Sequence, residues 1–303
     1  MKTFWALGMA AMVATGAQAA DLGIAAPPLQ IAHWMKGQPV DLAAAKGRNI
    51  IVVEFWATWC GPCVEGIPHL TEMQKKFKDQ VRFVGITDEE PKEVQAFLKK
   101  MGAKMDYTVA IDKEKQSFAN YMKAFGAEGI PHSFVVDKSG IVAWEGHPME
   151  GLEEVLQQMV KGTYDLKAVK EERALHSKVH EYLRAAAHGD KSPVNQALGR
   201  QLLKDGAKHP DLLNELAWGI LTEQDFEFRD KSLALEAAKA ANDATGGKSA
   251  DIIDTYALAL FENGNAAEAV KWQKQAVALC DDKEMLAKLK ERLAKYEQKA
   301  GAK

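Results

Sequence analysis

Cysteine is scarce in this 303-residue chain: Cys60, Cys63 and Cys280 are all it has. Three thiols, two of them spaced C-x-x-C, do not make a disulfide-stapled scaffold, which closes a small fold with even sets of bridges. Positive charge is not in excess either. With 39 Lys plus Arg against 42 Asp plus Glu, the net charge of −3 offers no footprint for a nucleic-acid partner. The apolar run Phe4–Val13 is shorter than the roughly 20 residues a membrane-crossing helix needs. A zinc site built on Cys60 and Cys63 with His69 or His132 is a poor fit, because Gly61 and Pro62 between the thiols serve a redox turn, so no metal is expected. Covalent haem attachment is excluded as well, since Val64 follows Cys63 where histidine would be required.

What the chain does have begins with a processing signal. Lys2, the run Phe4–Val13 and the small-residue site Ala17-Gln18-Ala19 predict a cleavable secretory signal over residues 1–19. The mature chain is therefore expected to be periplasmic or secreted, with no membrane span after cleavage. Its length suits two domains. In an oxidising compartment a dithiol pair stays oxidised unless an upstream thiol donor re-reduces it.

Residues 22–47 carry two short alternating pieces, Leu29-Gln30-Ile31 and Val40-Asp41-Leu42, which predict a β-hairpin ahead of the main sheet. Ile50–Trp56 is nearly all apolar and β-branched, as in a central strand covered on both faces. Glu54 interrupts it, and a buried unpaired carboxylate tends to take up a proton. Beyond the dithiol the pattern alternates: a helix with Ile67, Leu70, Met73 and Phe77 on one side, a strand Val81–Ile86, a helix Pro91–Met101, a strand Tyr107–Ile111 and a helix Gln116–Phe125. Next come strands Phe134–Val136 and Ile141–Glu145 around the turn Asp137–Gly140, then a closing helix Leu152–Val160. The expected class is α/β with a largely parallel sheet over residues 20–160.

Chemistry concentrates at Cys60 and Cys63. A dithiol that opens and closes needs both sulfurs at one backbone turn. A helix starting there lends unpaired N–H groups and partial positive charge to the first thiolate. Gly61 can adopt unusual dihedrals, and Pro62 spares an amide that would be unpaired at a helix start.

The segment Glu54–Pro68, EFWATWCGPCVEGIP, resembles the active site of thioredoxin-like proteins, and most nearly the exported TlpA/ResA/DsbE type of thiol-disulfide oxidoreductase in the redoxin superfamily. The resemblance implies a thioredoxin-like fold with an inserted strand and helix between Cys63 and Pro131. It implies no cofactor and a disulfide-containing protein as substrate. Cys60, nearer solvent, would attack the substrate disulfide, and Cys63 would resolve the mixed disulfide. Glu54 occupies the family's acid position six residues before the first cysteine and would exchange protons with Cys63. Pro131 matches the proline that is cis and faces the dithiol, so Ile130 would offer its backbone to substrate, with Trp59, Gly61 and Pro62 beside it. Trp56 and Trp59 would wall the site. The Gly-Pro dipeptide resembles reducing members, which makes a disulfide reductase the leading expectation. Two alternatives are a thiol-dependent peroxidase with antioxidant activity, although the Pro-and-Thr context before its cysteine is missing, and a non-enzymatic exported adaptor.

From Asp165 to His188 the pattern is charged, Ala-rich and helical, predicting a helical linker or packing helix over residues 161–192. Residues 193–303 are read as all-α. Ala257, Ala269 and Ala276, with a turn at Gly264-Asn265, resemble a tetratricopeptide repeat. Leu216-Ala217, Ala234 and Ala241 repeat the theme with extra loop residues around Phe226-Glu227-Phe228. Lys283–Gln298 would cap the stack, and the resemblance implies a protein partner. Trp218, Tyr256, Phe261 and Trp272 are read as packing residues, and Cys280 as a small hydrophobe near a helix end.

Overall fold

The computed structural model describes residues 20–223 and 228–301. The expected signal segment, and the extra loop around Phe226 and Glu227, lie outside the described residues. The chain divides into two compact units, Met1–Leu166 and Lys167–Lys303.

The first unit runs β1 (Ile31–Lys36), α1 (Leu42–Ala45), β2 (Ile50–Phe55), α2 (Gly61–Phe77), β3 (Val81–Thr87), α3 (Pro91–Met101) and β4 (Thr108–Asp112). Then come α4 (Gln116–Phe118), β5 (His132–Val136), β6 (Val142–Gly146) and α5 (Leu152–Lys161). The strands form one 6-stranded sheet in the order β1-β4-β3-β2-β5-β6. Strands β2, β3 and β4 are mutually parallel, while β1, β5 and β6 each join antiparallel to their neighbours.

Strand β2 is buried along its whole length, as its unbroken apolar run requires. Each fully buried Val or Ile contributes roughly 1.5–3 kcal/mol, so this strand is the natural axis of the fold. Against one face lie Ile67, Leu70, Met73 and Phe77 of α2, with Leu152 and Leu156 of α5 in the same cluster. Against the other, the rings of Phe118, Tyr121 and Phe134 lie 5.9–6.1 Å from that of Phe55.

The expected amino-terminal hairpin does not form. Strand β1 pairs with β4, not with residues 40–42. The Asp41 carboxylate instead accepts from the N–H groups of Ala43 and Ala44, turning 42–45 into a short helix. An aspartate followed by Leu and a run of Ala has a ready alternative to a ladder, because its side chain satisfies the first amides of a helix. The expected helix over 116–125 is also altered. Asp112 accepts from the Ser117 and Phe118 amides at 2.9 and 2.8 Å, and the chain then widens into a π-helical turn at Ala119–Lys123.

The second unit is all helical: α6 (Leu166–Ala187), α7 (Pro193–Asp205), α8 (Pro210–Thr222), α9 (Lys231–Ala244), α10 (Ala250–Glu262), α11 (Ala266–Leu279) and α12 (Lys283–Gly301). Helix α6 is a packing helix, placing Val179, Tyr182 and Ala186 in a core with Leu216, Ala237, Ala241 and Ala257. Helices approach closely at Gly219, where an added Cβ would meet Leu183 at 2.6 Å. Tyr256, Phe261 and Trp272 do pack on this core, Phe261 stacking on Tyr296 at 4.5 Å. Trp218 differs: the Arg292 guanidinium sits 4.9 Å over its ring. Arg292 also pairs with buried Asp254, which accepts from Gln273 at 2.7 Å.

Candidate active site

Strand β2 ends at Phe55, and Trp56-Ala57-Thr58-Trp59 forms the turn into α2. The turn is held by a residue the sequence did not suggest. Glu89 accepts from the Thr58 amide at 2.8 Å, the Thr58 hydroxyl at 2.5 Å and the Thr87 hydroxyl at 2.9 Å.

Cys60 is the N-cap of α2, and its Sγ accepts the Cys63 N–H at 3.2 Å. The two cysteines form a disulfide with Cα atoms 5.3 Å apart. They are 5% and 3% exposed, so solvent access barely separates them. What distinguishes Cys60 is its place at the positive end of the helix. Pro62 sits in the first turn. Gly61 lacks the positive φ that would demand a glycine, and a Cβ there would meet nothing within 4 Å, so its contribution is open surface beside the disulfide. Helix α2 continues through Pro68.

Trp59 is 74% exposed, whereas Trp56 is 2% exposed and lies 5.3 Å from the Phe97 ring. Trp59 therefore walls the site from outside, while the buried Trp56 lines the cleft from within. The Ile130–Pro131 bond is cis, and the Ile130 carbonyl oxygen is 3.7 Å from Cys60 Sγ. A cleft of about 440 Å³ beside the dithiol is lined by Trp59, Gly129 and Ile130 over a floor of Phe55, Ile86 and Phe118.

Glu54 is 2% exposed and faces Gly85 on one neighbouring strand and Ser133 on the other. The Ser133 hydroxyl donates to Glu54 Oε2. Burial pushes the Glu54 carboxyl up to about 8, against the lowering effect of that hydrogen bond. One residue before Ser133 on β5, His132 Nε2 and Glu145 Oε2 are 2.6 Å apart. Glu54, Cys60, Cys63, Ile130 and Pro131 thus converge at one end of β2. Ser133 was findable, since it is two residues past Pro131 on a strand that pairs with β2. Glu89 carries no such signal.

A vicinal cysteine pair capping a helix, beside a cis-proline loop and a buried acid on a mixed sheet, defines a thiol-disulfide oxidoreductase of thioredoxin-like fold. Residues 22–145 match the AhpC/TSA family. Over 144 residues the chain is 31% identical to thiol-disulfide oxidoreductase ResA of Bacillus thuringiensis subsp. konkukian, spanning 46% of this chain and 79% of that protein. It is 29% identical over 157 residues to Protein FixW of Rhizobium leguminosarum, spanning 49% and 70%. A solved structure of a putative thiol:disulfide interchange protein DsbE from Chlorobium tepidum is 27% identical with a TM-score of 0.38, covering 47% of this chain and 97% of that one. The chain belongs to the ResA-type thiol-disulfide oxidoreductases, carried on a redoxin domain. Among the described residues no helix is long and apolar enough to cross a membrane.

Proposed function

We propose that this oxidoreductase works outside the cytoplasm as a protein disulfide reductase, re-reduced by an upstream thiol donor. The observation that carries the reading is the Cys63 N–H aimed at Cys60 Sγ, 3.2 Å away at the helix start. Helix-end charge and an amide donor favour the thiolate at that sulfur, so Cys60 is the nucleophile.

The Cys60 thiolate attacks one sulfur of a substrate disulfide, and the other substrate sulfur leaves with the electron pair and takes a proton. Cys63 gives its proton to the Glu54 carboxylate and attacks Cys60 Sγ. The mixed disulfide breaks, and the second substrate sulfur leaves reduced. Two electrons pass from the enzyme dithiol to the substrate, and Glu54 returns its proton to solvent. Pro131, Ile130, Trp59, Gly61 and Pro62 form the surface on which the extended substrate lies.

Residues 20–160 are read as the redox domain and 193–303 as a tetratricopeptide-like domain holding a protein partner, with 161–192 as a helical segment whose α6 packs on the core of the second unit. Support for the tetratricopeptide-like reading is the small residues Ala237, Ala241, Ala257 and Ala269 at the helix contacts.

The test is a Cys63→Ser chain incubated with periplasmic extract. A mixed disulfide through Cys60, released by dithiothreitol, is the expected product, together with insulin reduction by the unaltered protein. A reduced protein that leaves insulin intact, with Cys60 no more reactive than free cysteine, overturns the reading. The AhpC/TSA match supplies one competing reading, a thiol peroxidase, which dithiol-driven peroxide consumption would establish.

A further inference from the structure

Gly85 is in register with Glu54 on the adjacent parallel strand, so a side chain at residue 85 would share the face that carries the Glu54 carboxyl. Two aromatic side chains occupy that space. An ideal Cβ on Gly85 would lie 3.0 Å from Trp56 Nε1 and 3.1 Å from Tyr107 Cε2. Both polar tips, Trp56 Nε1 and the Tyr107 hydroxyl, are buried without a hydrogen-bond partner in the protein. Orphaned buried donors are uncommon, and a redox or catalytic role is one of the reasons a fold keeps them. Glu54 is the acid on this patch of sheet, and its hydrogen-bond partner among the described residues is the Ser133 hydroxyl from the opposite neighbouring strand.

We propose that Tyr107 is a positioning residue for the proton-transfer step: its hydroxyl, with the Trp56 indole N–H over the bare backbone of Gly85, supports the Glu54 carboxylate formed whenever that acid gives up its proton. The inference rests on the reading of Glu54 as the acid that serves Cys63. It assigns a purpose to the glycine, since a Cβ there would press on both rings, at 3.0 Å from Trp56 Nε1 and 3.1 Å from Tyr107 Cε2. The groups facing Glu54 are then Ser133 from β5, Tyr107 from the approach to β4, Trp56 from its own chain segment and the dithiol beyond it. Burial holds the Tyr107 phenol well above its ordinary range, with the neighbouring Glu54 charge as a further cause. That coupling is consistent with the two groups sharing one pocket.

The experiment uses the full oxidised chain, in which neither Cys60 nor Cys63 titrates. The protonated carboxyl stretch of Glu54, identified as the infrared band lost in Glu54→Gln, is followed against pH in the unaltered protein and in Tyr107→Phe. That variant keeps the ring and removes only the donor. Loss of a donor to a charged group is expected to raise the midpoint by about one pH unit. The pH dependence of mixed-disulfide resolution by Cys63 is expected to move in the same direction. An unmoved Glu54 midpoint in Tyr107→Phe overturns the proposal and leaves the Glu54 reading intact. A resolution rate whose pH dependence is the same in Glu54→Gln as in the unaltered protein overturns both.

Discussion

The Ser133 hydroxyl donates its hydrogen bond to the Glu54 carboxyl across the antiparallel junction of β2 and β5. This bond joins the strand that leads into the dithiol to the strand that leaves the cis-proline loop. It is also the one contact that opposes the rise of the Glu54 pKa. Ser133→Ala is therefore expected to push the Glu54 midpoint above about 8. Carboxyl infrared titration of the oxidised variant checks this, and a midpoint that falls or stays fixed contradicts it.

The raised Glu54 pKa also sets a stability window. The unfolded carboxyl titrates near 4.5 and the folded one near 8, so between those values the unfolded state releases its proton first. The contribution of Glu54 to stability is then full below pH 4.5 and declines as pH rises to about 8. Urea unfolding of the oxidised protein is expected to lose a few kcal/mol, in order of magnitude, across that interval through this group. Glu54→Gln is expected to flatten the decline, and an equally steep decline in the variant would show that other groups cause it.

Glu89 gathers three donors from the turn before Cys60 and the end of β3. Glu89→Ala leaves the Thr58 amide and hydroxyl without their acceptor, and a loss of about 1–3 kcal/mol is expected. Denaturant melts measure that loss. Hydrogen exchange at the Thr58 amide is expected to speed up more than exchange in the middle of β2.

In the helical unit, burial holds the Asp254 carboxyl above its ordinary range despite Gln273 and Arg292. Removing one partner of a buried pair costs about 3–5 kcal/mol, while replacing both with apolar groups costs far less. Arg292→Leu is thus expected to destabilise the helices more than the double change Asp254→Leu, Arg292→Leu. Thermal melts followed at a helical circular-dichroism band compare the two.

Much of this was legible in the sequence. The Cys60–Cys63 spacing, the apolar run around Glu54 and the Pro131 loop each follow from short-range chemistry, and the structure brings them to one end of β2. What was not legible depended on pairing at a distance. Strand β1 finds β4, some 75 residues later, so no local pattern near Val40 separates a hairpin from a helix capped by Asp41. Glu89 and Tyr107 likewise sit on segments whose neighbours only the sheet order decides. The expected difference in solvent access between the two thiols is small, 5% against 3%, and the Ile130 carbonyl lies 3.7 Å from Cys60 Sγ.

Strand β1 lies at one border of the sheet, and its ladder with β4 slips twice, between Ile31 and His33 and again between Trp34 and Lys36. Such irregularities spoil the flat template on which a second molecule would add a strand. That side of the sheet is thereby blunted against growth by a further strand.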